Sequence, residues 1–194
     1  MRKPELLKPL SPAQDTMNIL LDYFQQLIPL TNAEKELVTQ KFHARLYRKR
    51  QYVLQEGNTC TQFNFVIRGC LRTYKIDEKG AIHILQFAAE HNWINDLGSF
   101  HGEKPSALNI DALEDLVDLY VKAPKFDRIF RVLIENGFIR LQERLLQNIS
   151  STAEERYASF LAIYPHLTNR LSQVQVAAYL GITPEFLSRL RSQK

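Results

Sequence analysis

The last stretch of the chain reads SQVQVAAYLGITPEFLSRLRSQK (residues 172–194). Two short segments of helical periodicity flank Gly181, and the second carries arginines. A helix-turn-helix crosses two helices steeply over a short turn, so it needs a small residue at the crossing and a glycine at the reversal. Ala177 and Gly181 stand at those places, with Val176 and Leu180 on the inner face of the first helix. Ile182 plugs the turn, Thr183 is placed to cap the second helix, and Pro184 suits a first helical position, where no N–H is lost. At about 100° per residue, Glu185, Ser188, Arg189 and Ser192 share one narrow face, while Leu187 and Leu190 point the other way. That outward face is short, polar and arginine-bearing, as a helix bound for the major groove must be. A merely solvated face is polar too, but it needs neither the small residue nor the glycine and cap in register. The expected DNA-binding residues are therefore Thr183, Glu185, Ser188, Arg189, Arg191, Ser192 and Lys194. Glu185, Ser188 and Arg189 are expected to read bases, and Arg191 or Lys194 to grip phosphates.

Upstream, the texture changes near Lys122. Before it, short runs alternate apolar and polar residues; after it, apolar residues recur at steps of three and four. QFNFVIRG places Phe63, Phe65 and Ile67 on one face and Asn64 and Val66 on the other. LRTYKIDEKGAIHILQF reads as a hairpin turning at Asp77–Gly80, LVDLYVKAP as a strand ended by Pro124, and VLQEGNTC as a strand and turn around Gly57. About six to eight such strands make an antiparallel barrel or jelly roll. Helical patterns bracket it: MNILLDYFQQLIPL, then NAEKELVTQKF behind a Thr31–Asn32 cap. Beyond Pro124, Phe126, Ile129, Phe130 and Leu133 keep helical spacing. Phe138, Leu141, Leu145 and Ile149 follow as an apolar stripe, widened by Ile139 and Leu146 enough to serve both the barrel and a second subunit. A shorter helix is expected from Thr152 to Tyr164, after a Ser150–Ser151 cap. No strand pair falls between Thr152 and Lys194. The fold expected is α+β: a flexible leader (1–15), a jelly-roll domain (16–124), a dimerisation helix region (125–150) and a helix-turn-helix domain (151–194).

Composition narrows the class without deciding it. The 194 residues are 45% hydrophobic and 24% charged, ordinary for a soluble globular protein, and the net charge of +4 permits a polyanionic partner. No apolar run reaches the roughly 20 residues that cross a bilayer, and MRKPELLKPLSPAQ has no signal-peptide core. A cytoplasmic protein is expected. The two cysteines, Cys60 and Cys70, have neither zinc nor iron–sulfur spacing and read as buried free thiols. No nucleophile elbow or P-loop occurs, so an enzyme is not expected. The basic run at Arg45, Arg48, Lys49 and Arg50 reads as a solvated strand edge protected by charge.

The ensemble resembles the Crp/Fnr superfamily of bacterial transcription regulators from about Asn18 onward. KRQYVLQEGNTCTQFNFVIRGCLRTYKIDEKG (residues 49–80) resembles that family's barrel pattern at Gly57, Gly69 and Gly80. The resemblance implies a cyclic-nucleotide-binding-type jelly roll, a long dimerisation helix and a C-terminal helix-turn-helix. It further implies double-stranded DNA and a second copy of the chain as partners, RNA polymerase as a candidate third, and base contacts from Glu185 and Arg189. Where the family often has an arginine, this chain has Pro184.

Family members that bind cyclic AMP carry a Gly–Glu pair and an Arg–Ser/Thr–Ala run. An arginine and backbone N–H groups hold the phosphate there, and the glutamate takes a ribose hydroxyl. By resemblance the effector-pocket residues here are Asn95, Asp96, Ser106 and Ala107. Pro105 stands in the place of the arginine, and Lys104 beside it lacks the guanidinium fork. Cyclic AMP bound in the usual way is therefore not expected, no cofactor is required, and another small effector stays open. The alternative from another class is a cupin-like jelly roll holding a small ligand or a metal through His83, Glu90, His91 and His101, with purely structural tail helices. That set lacks an HxH pair.

Overall fold

Eight short strands between His43 and Lys122 pair into two antiparallel four-stranded sheets. The computed structural model describes residues 12–122 and 127–192. One sheet runs in the order β1 (His43–Tyr47), β8 (Leu116–Lys122), β3 (Gln62–Arg68), β6 (Trp93–Ile94). The other runs β2 (Tyr52–Leu54), β7 (Asn109–Ala112), β4 (Leu71–Ile76), β5 (Ile82–Ala88). Chain neighbours β4 and β5 form the expected hairpin, and the Gly80 N–H donates to the Asp77 carbonyl at 3.0 Å. Gly69 is required on steric grounds. Its φ is +107°, and a Cβ there would lie 3.0 Å from the Asp115 carbonyl oxygen and from Leu116.

Three apolar layers hold the molecule together. Val66, Leu71, Ile94, Ile110 and Leu116 fill the space between the sheets. Phe63 and Phe65 face outward, under Leu20 and Phe24 of α1 (Pro12–Leu27) and Val38 of α2 (Asn32–Lys41). The alternation read along β3 is therefore correct, but both of its faces are buried, because helices cover the outer side. Each such side chain contributes about 1.5–3 kcal/mol relative to exposure. A third layer joins the outer face of the second sheet to the C-terminal helices and is described with the site.

Several boundaries differ from those expected. Residues 12–15, assigned to a flexible leader, are already helical: Pro12 opens α1 and Asp15 sits favourably in its first turn. Residues 1–11 and 123–126, including Phe126, lie outside the description. Thr152, not Ser150–Ser151, caps α5 (Ala153–Ile163), because only Thr152 stands three residues before Glu155 and closes a capping box with it. Ser150 instead ends α4 (Asp127–Ser150). The basic run does lie at a sheet edge, with Arg48, Lys49 and Arg50 exposed, but Arg45 on edge strand β1 is only partly solvated. Its guanidinium lies 4.5 Å from the Tyr120 ring centroid and donates to the Tyr47 hydroxyl at 3.0 Å. Opposite it on β8, Asp118 is fully buried, and neither carboxylate oxygen has a hydrogen-bond partner. Desolvation drives that carboxyl up to about 7, against the pull of Arg45.

Only the first turns of α4 join the core, through Phe130 and Leu133. Farther along, Phe138, Leu141, Leu145 and Ile149 are 58–76% exposed, and Ile139 and Leu146 are also open.

Candidate functional site

The C-terminal hairpin consists of α6 (Gln173–Leu180) and α7 (Pro184–Ser192). Ser172 caps α6 and closes a capping box with Gln175. Gly181 ends α6 at φ 68°, the left-handed conformation that a residue with a Cβ adopts only at a cost. The Thr183 hydroxyl accepts from the Phe186 N–H at 3.2 Å, starting α7 where expected. Val176, Ala177, Leu180, Leu187 and Leu190 are buried between the helices. Thr183, Glu185, Ser188, Arg189, Arg191 and Ser192 are exposed. Glu185, Ser188, Arg189 and Ser192 thus lie together on the open face of α7. Lys194 lies outside the described residues.

The hairpin is seated on the barrel. Tyr74, Ile84 and Phe87 of the second sheet pack with Tyr157 and Phe160 of α5 and with α6 and α7. Tyr179 stacks on Phe87 at 5.4 Å between ring centroids. Arg144 of α4 donates to the carbonyls of Ile84 (2.9 Å) and Tyr179 (3.2 Å), and Arg156 donates to that of Leu180 at 3.3 Å. These arginines serve the last carbonyls of α6, which no helical N–H can reach.

A second tie is ionic. Arg170, ahead of α6, forks onto Glu90 of the barrel at 2.9 and 3.0 Å and also pairs with Glu114. Burial pushes Glu90 up, but the Arg170 guanidinium and the Gly69 N–H outweigh it and hold the carboxyl at about 2, below its ordinary 4.5. A carboxyl depressed in the fold stabilises above its unfolded pKa and loses that contribution as pH falls from 4.5 toward 2. Glu90→Gln should therefore lower the Tm by a few degrees at neutral pH, and the difference from the parent should vanish as acid titrates that window. Calorimetry across pH measures it; a difference unchanged down to pH about 2 would discount the ionic tie.

Between the barrel, α4 and the C-terminal helices lies a cleft of about 810 Å³. Its walls are largely apolar, with Phe63, Trp93, Leu133 and Phe138 on the barrel and α4 sides and Tyr164 and Tyr179 on the other. Asn95 and Asp96 line it; Ser106 and Ala107 do not. The Asp96 carboxylate caps α3 (Leu97–Gly102) through the Ser99 N–H at 3.1 Å and accepts from the Ser106 hydroxyl at 2.6 Å.

Residues 44–132 match the family described as "Cyclic nucleotide-binding domain". The match covers the barrel from β1 through β8 and the start of α4. Comparison with curated proteins gave no match. Among solved structures, FixK2 from Bradyrhizobium japonicum aligns with a TM-score of 0.65 at 23% identity, over 78% of this chain and 83% of that one. TTHA1359, a Crp/Fnr-family transcriptional regulator from Thermus thermophilus, aligns at 0.66 and 13%, over 78% and 84%. The c-di-GMP-responsive regulator CLP from Xanthomonas campestris aligns at 0.63 and 12%, over 93% and 90%. The architecture is that of the Crp/Fnr regulators, as the resemblance implied. Among the described residues no helix is long and apolar enough to cross a membrane.

Within the barrel, Asp96 and Ser106, two of the residues matched to the phosphate cassette, bond each other. Asp96 is spent on Ser99 and Ser106, and Pro105 supplies no cation. Of the side chains weighed for a metal, His83 bonds Asp77 at 2.9 Å and Glu90 is held by Arg170. No group of three or more His, Cys, Asp or Glu side chains is gathered for a metal among the described residues. Sequence reasoning missed the wall that α4 and the C-terminal helices give the cleft, and the Arg170 fork. Their partners are distant along the chain, so no local spacing announces them.

Proposed function

We propose that this chain is a DNA-binding transcription regulator of Crp/Fnr type, acting as a cytoplasmic homodimer. The observation that carries the reading is the exposed α7 face of Glu185, Ser188, Arg189 and Ser192, set opposite buried Leu187 and Leu190. A polar helix face held proud of a packed hairpin can enter a major groove. The open stripe of α4 pairs two subunits, and the two α7 helices then take half-sites about 34 Å apart. RNA polymerase is the partner that such a regulator would address. The cleft is the effector site, and it does not take cyclic AMP in the usual way, because Asp96 is already committed and no arginine follows it.

A duplex selected from a random pool gives the operator for the test. Arg189→Ala should lose about 1–3 kcal/mol on that duplex and blunt discrimination at one base position, while non-specific affinity stays near that of the parent. Both affinities should fall steeply with salt, because phosphate contacts release counterions. Equal binding of operator and random duplex by parent and variant alike would overturn the base-reading role.

A further inference from the structure

The cleft offers buried hydrogen-bond donors without partners and, in Arg140, a cation that forms no ion pair among the described residues. Thr73 of β4 is 3% exposed, lines the cleft, and its hydroxyl has no partner. The buried Asn95 Nδ2, also on the wall, has none either. A buried polar group without a partner is unfavourable, so an acceptor delivered to this wall gains a hydrogen bond that no protein group competes for. Most charged groups on the wall are committed: Glu90 to Arg170, Asp96 to Ser99 and Ser106, Arg144 to two carbonyls. Arg140 and Glu143, both on α4, form no ion pair among the described residues. An anion therefore goes to Arg140.

Between these polar points the wall is apolar. Phe63, Trp93, Leu133 and Phe138 would desolvate the ribose and polar base edges of a nucleotide without replacing their hydrogen bonds. The same surface suits a hydrocarbon or aromatic body, and about 810 Å³ lies within the range of small-molecule sites.

We propose that the effector of this cleft is an apolar carboxylate, its acid group recognised by Arg140 and by the orphaned donors of the barrel wall, and its body buried among the aromatic side chains. The inference rests on reading the cleft as the effector site. Tyr164 and Tyr179 line the same space, so an occupant touches the helices that seat the DNA-reading hairpin.

Trp93 is the only tryptophan of the chain and stands on the cleft wall, so its emission reports occupancy directly. The full-length protein is titrated with decanoate, with decanol of equal length, and with cyclic AMP. Decanoate should give a saturable change and bind about ten-fold or more tighter than decanol, the margin of a charge-assisted contact. Arg140→Gln should erase that margin while leaving decanol unchanged. Thr73→Val, which keeps the shape and removes the hydroxyl, should weaken decanoate several-fold. Equal binding of decanoate and decanol by the parent, tighter binding of cyclic AMP, or no saturable change would each overturn the proposal. A duplex titration run alongside separates two failures. DNA binding without decanoate binding sinks the ligand class alone, whereas decanoate binding without DNA binding sinks the regulator and leaves the site.

Discussion

Aspartates at Leu141 and Leu145 together should leave the protein monomeric and lower its operator affinity by at least about a hundred-fold. The expectation comes from the geometry of α4. A helix of 24 residues is about 36 Å long, yet only its first turns are buried, through Phe130 and Leu133. Phe138, Leu141, Leu145 and Ile149 continue the apolar register and stand more than half exposed in the single chain. A stripe of that length seldom faces water unless a partner covers it. Burying a side chain of this size is worth about 1.5–3 kcal/mol, and a two-fold interface counts each one twice. Two carboxylates facing their own copies across the axis reverse the sign, because each must be desolvated beside a like charge. The operator loss follows from linkage. Two recognition helices fixed at one spacing bind as a unit, whereas separate monomers bind half-sites independently. Light scattering gives the mass, and titration with full and half operators gives the affinity. A variant that stays dimeric would show that another surface pairs the subunits.

What the sequence disclosed depended on the range of the interaction. The C-terminal hairpin was legible because its determinants are local: the glycine at φ 68°, the Thr183 cap and two leucines three residues apart all act within one or two turns. The Asp77–Gly80 turn was legible for the same reason. Where two local rules compete, sequence alone leaves a choice. Ser150, Ser151 and Thr152 are all cap formers, and the choice falls to Thr152 because Glu155 completes the box. Asp96 shows a resemblance matched in position but not in role. Its place by a short helix fits a ribose-binding carboxylate, yet the side chain is occupied as the cap of α3 and by Ser106. Contacts across the fold left no local trace. Arg170 and Glu90 are 80 residues apart, and nothing near either one names the other. The orphaned Thr73 hydroxyl on the cleft wall was hidden in the same way, since a threonine in a strand is ordinary until its surroundings are known.

Phe160→Ala should cost about 3–5 kcal/mol and release the DNA-reading hairpin from the barrel, although it changes no residue on the exposed α7 face. Phe160 is 1% exposed and sits 5.5 Å from both Tyr164 and Tyr179 and 6.4 Å from Phe87, measured between ring centroids. It therefore joins α5 to both α6 and strand β5 at the centre of that aromatic cluster. Its removal takes both the transfer energy and the aromatic contacts, and the surrounding rings cannot close the space without giving up their tilted packing. The loss is large against the 5–15 kcal/mol that stabilises a typical domain. It also falls unevenly. The barrel keeps its own two apolar layers, so the variant should unfold in two steps, with the C-terminal helices melting first. Scanning calorimetry with a probe in each region resolves the steps. Phe160→Leu, which keeps most of the volume, should cost less and retain a single transition. A single cooperative transition for the alanine variant at the parent's midpoint would mean that Arg144 and Arg170 seat the hairpin, and that the aromatic joint only fills space between them.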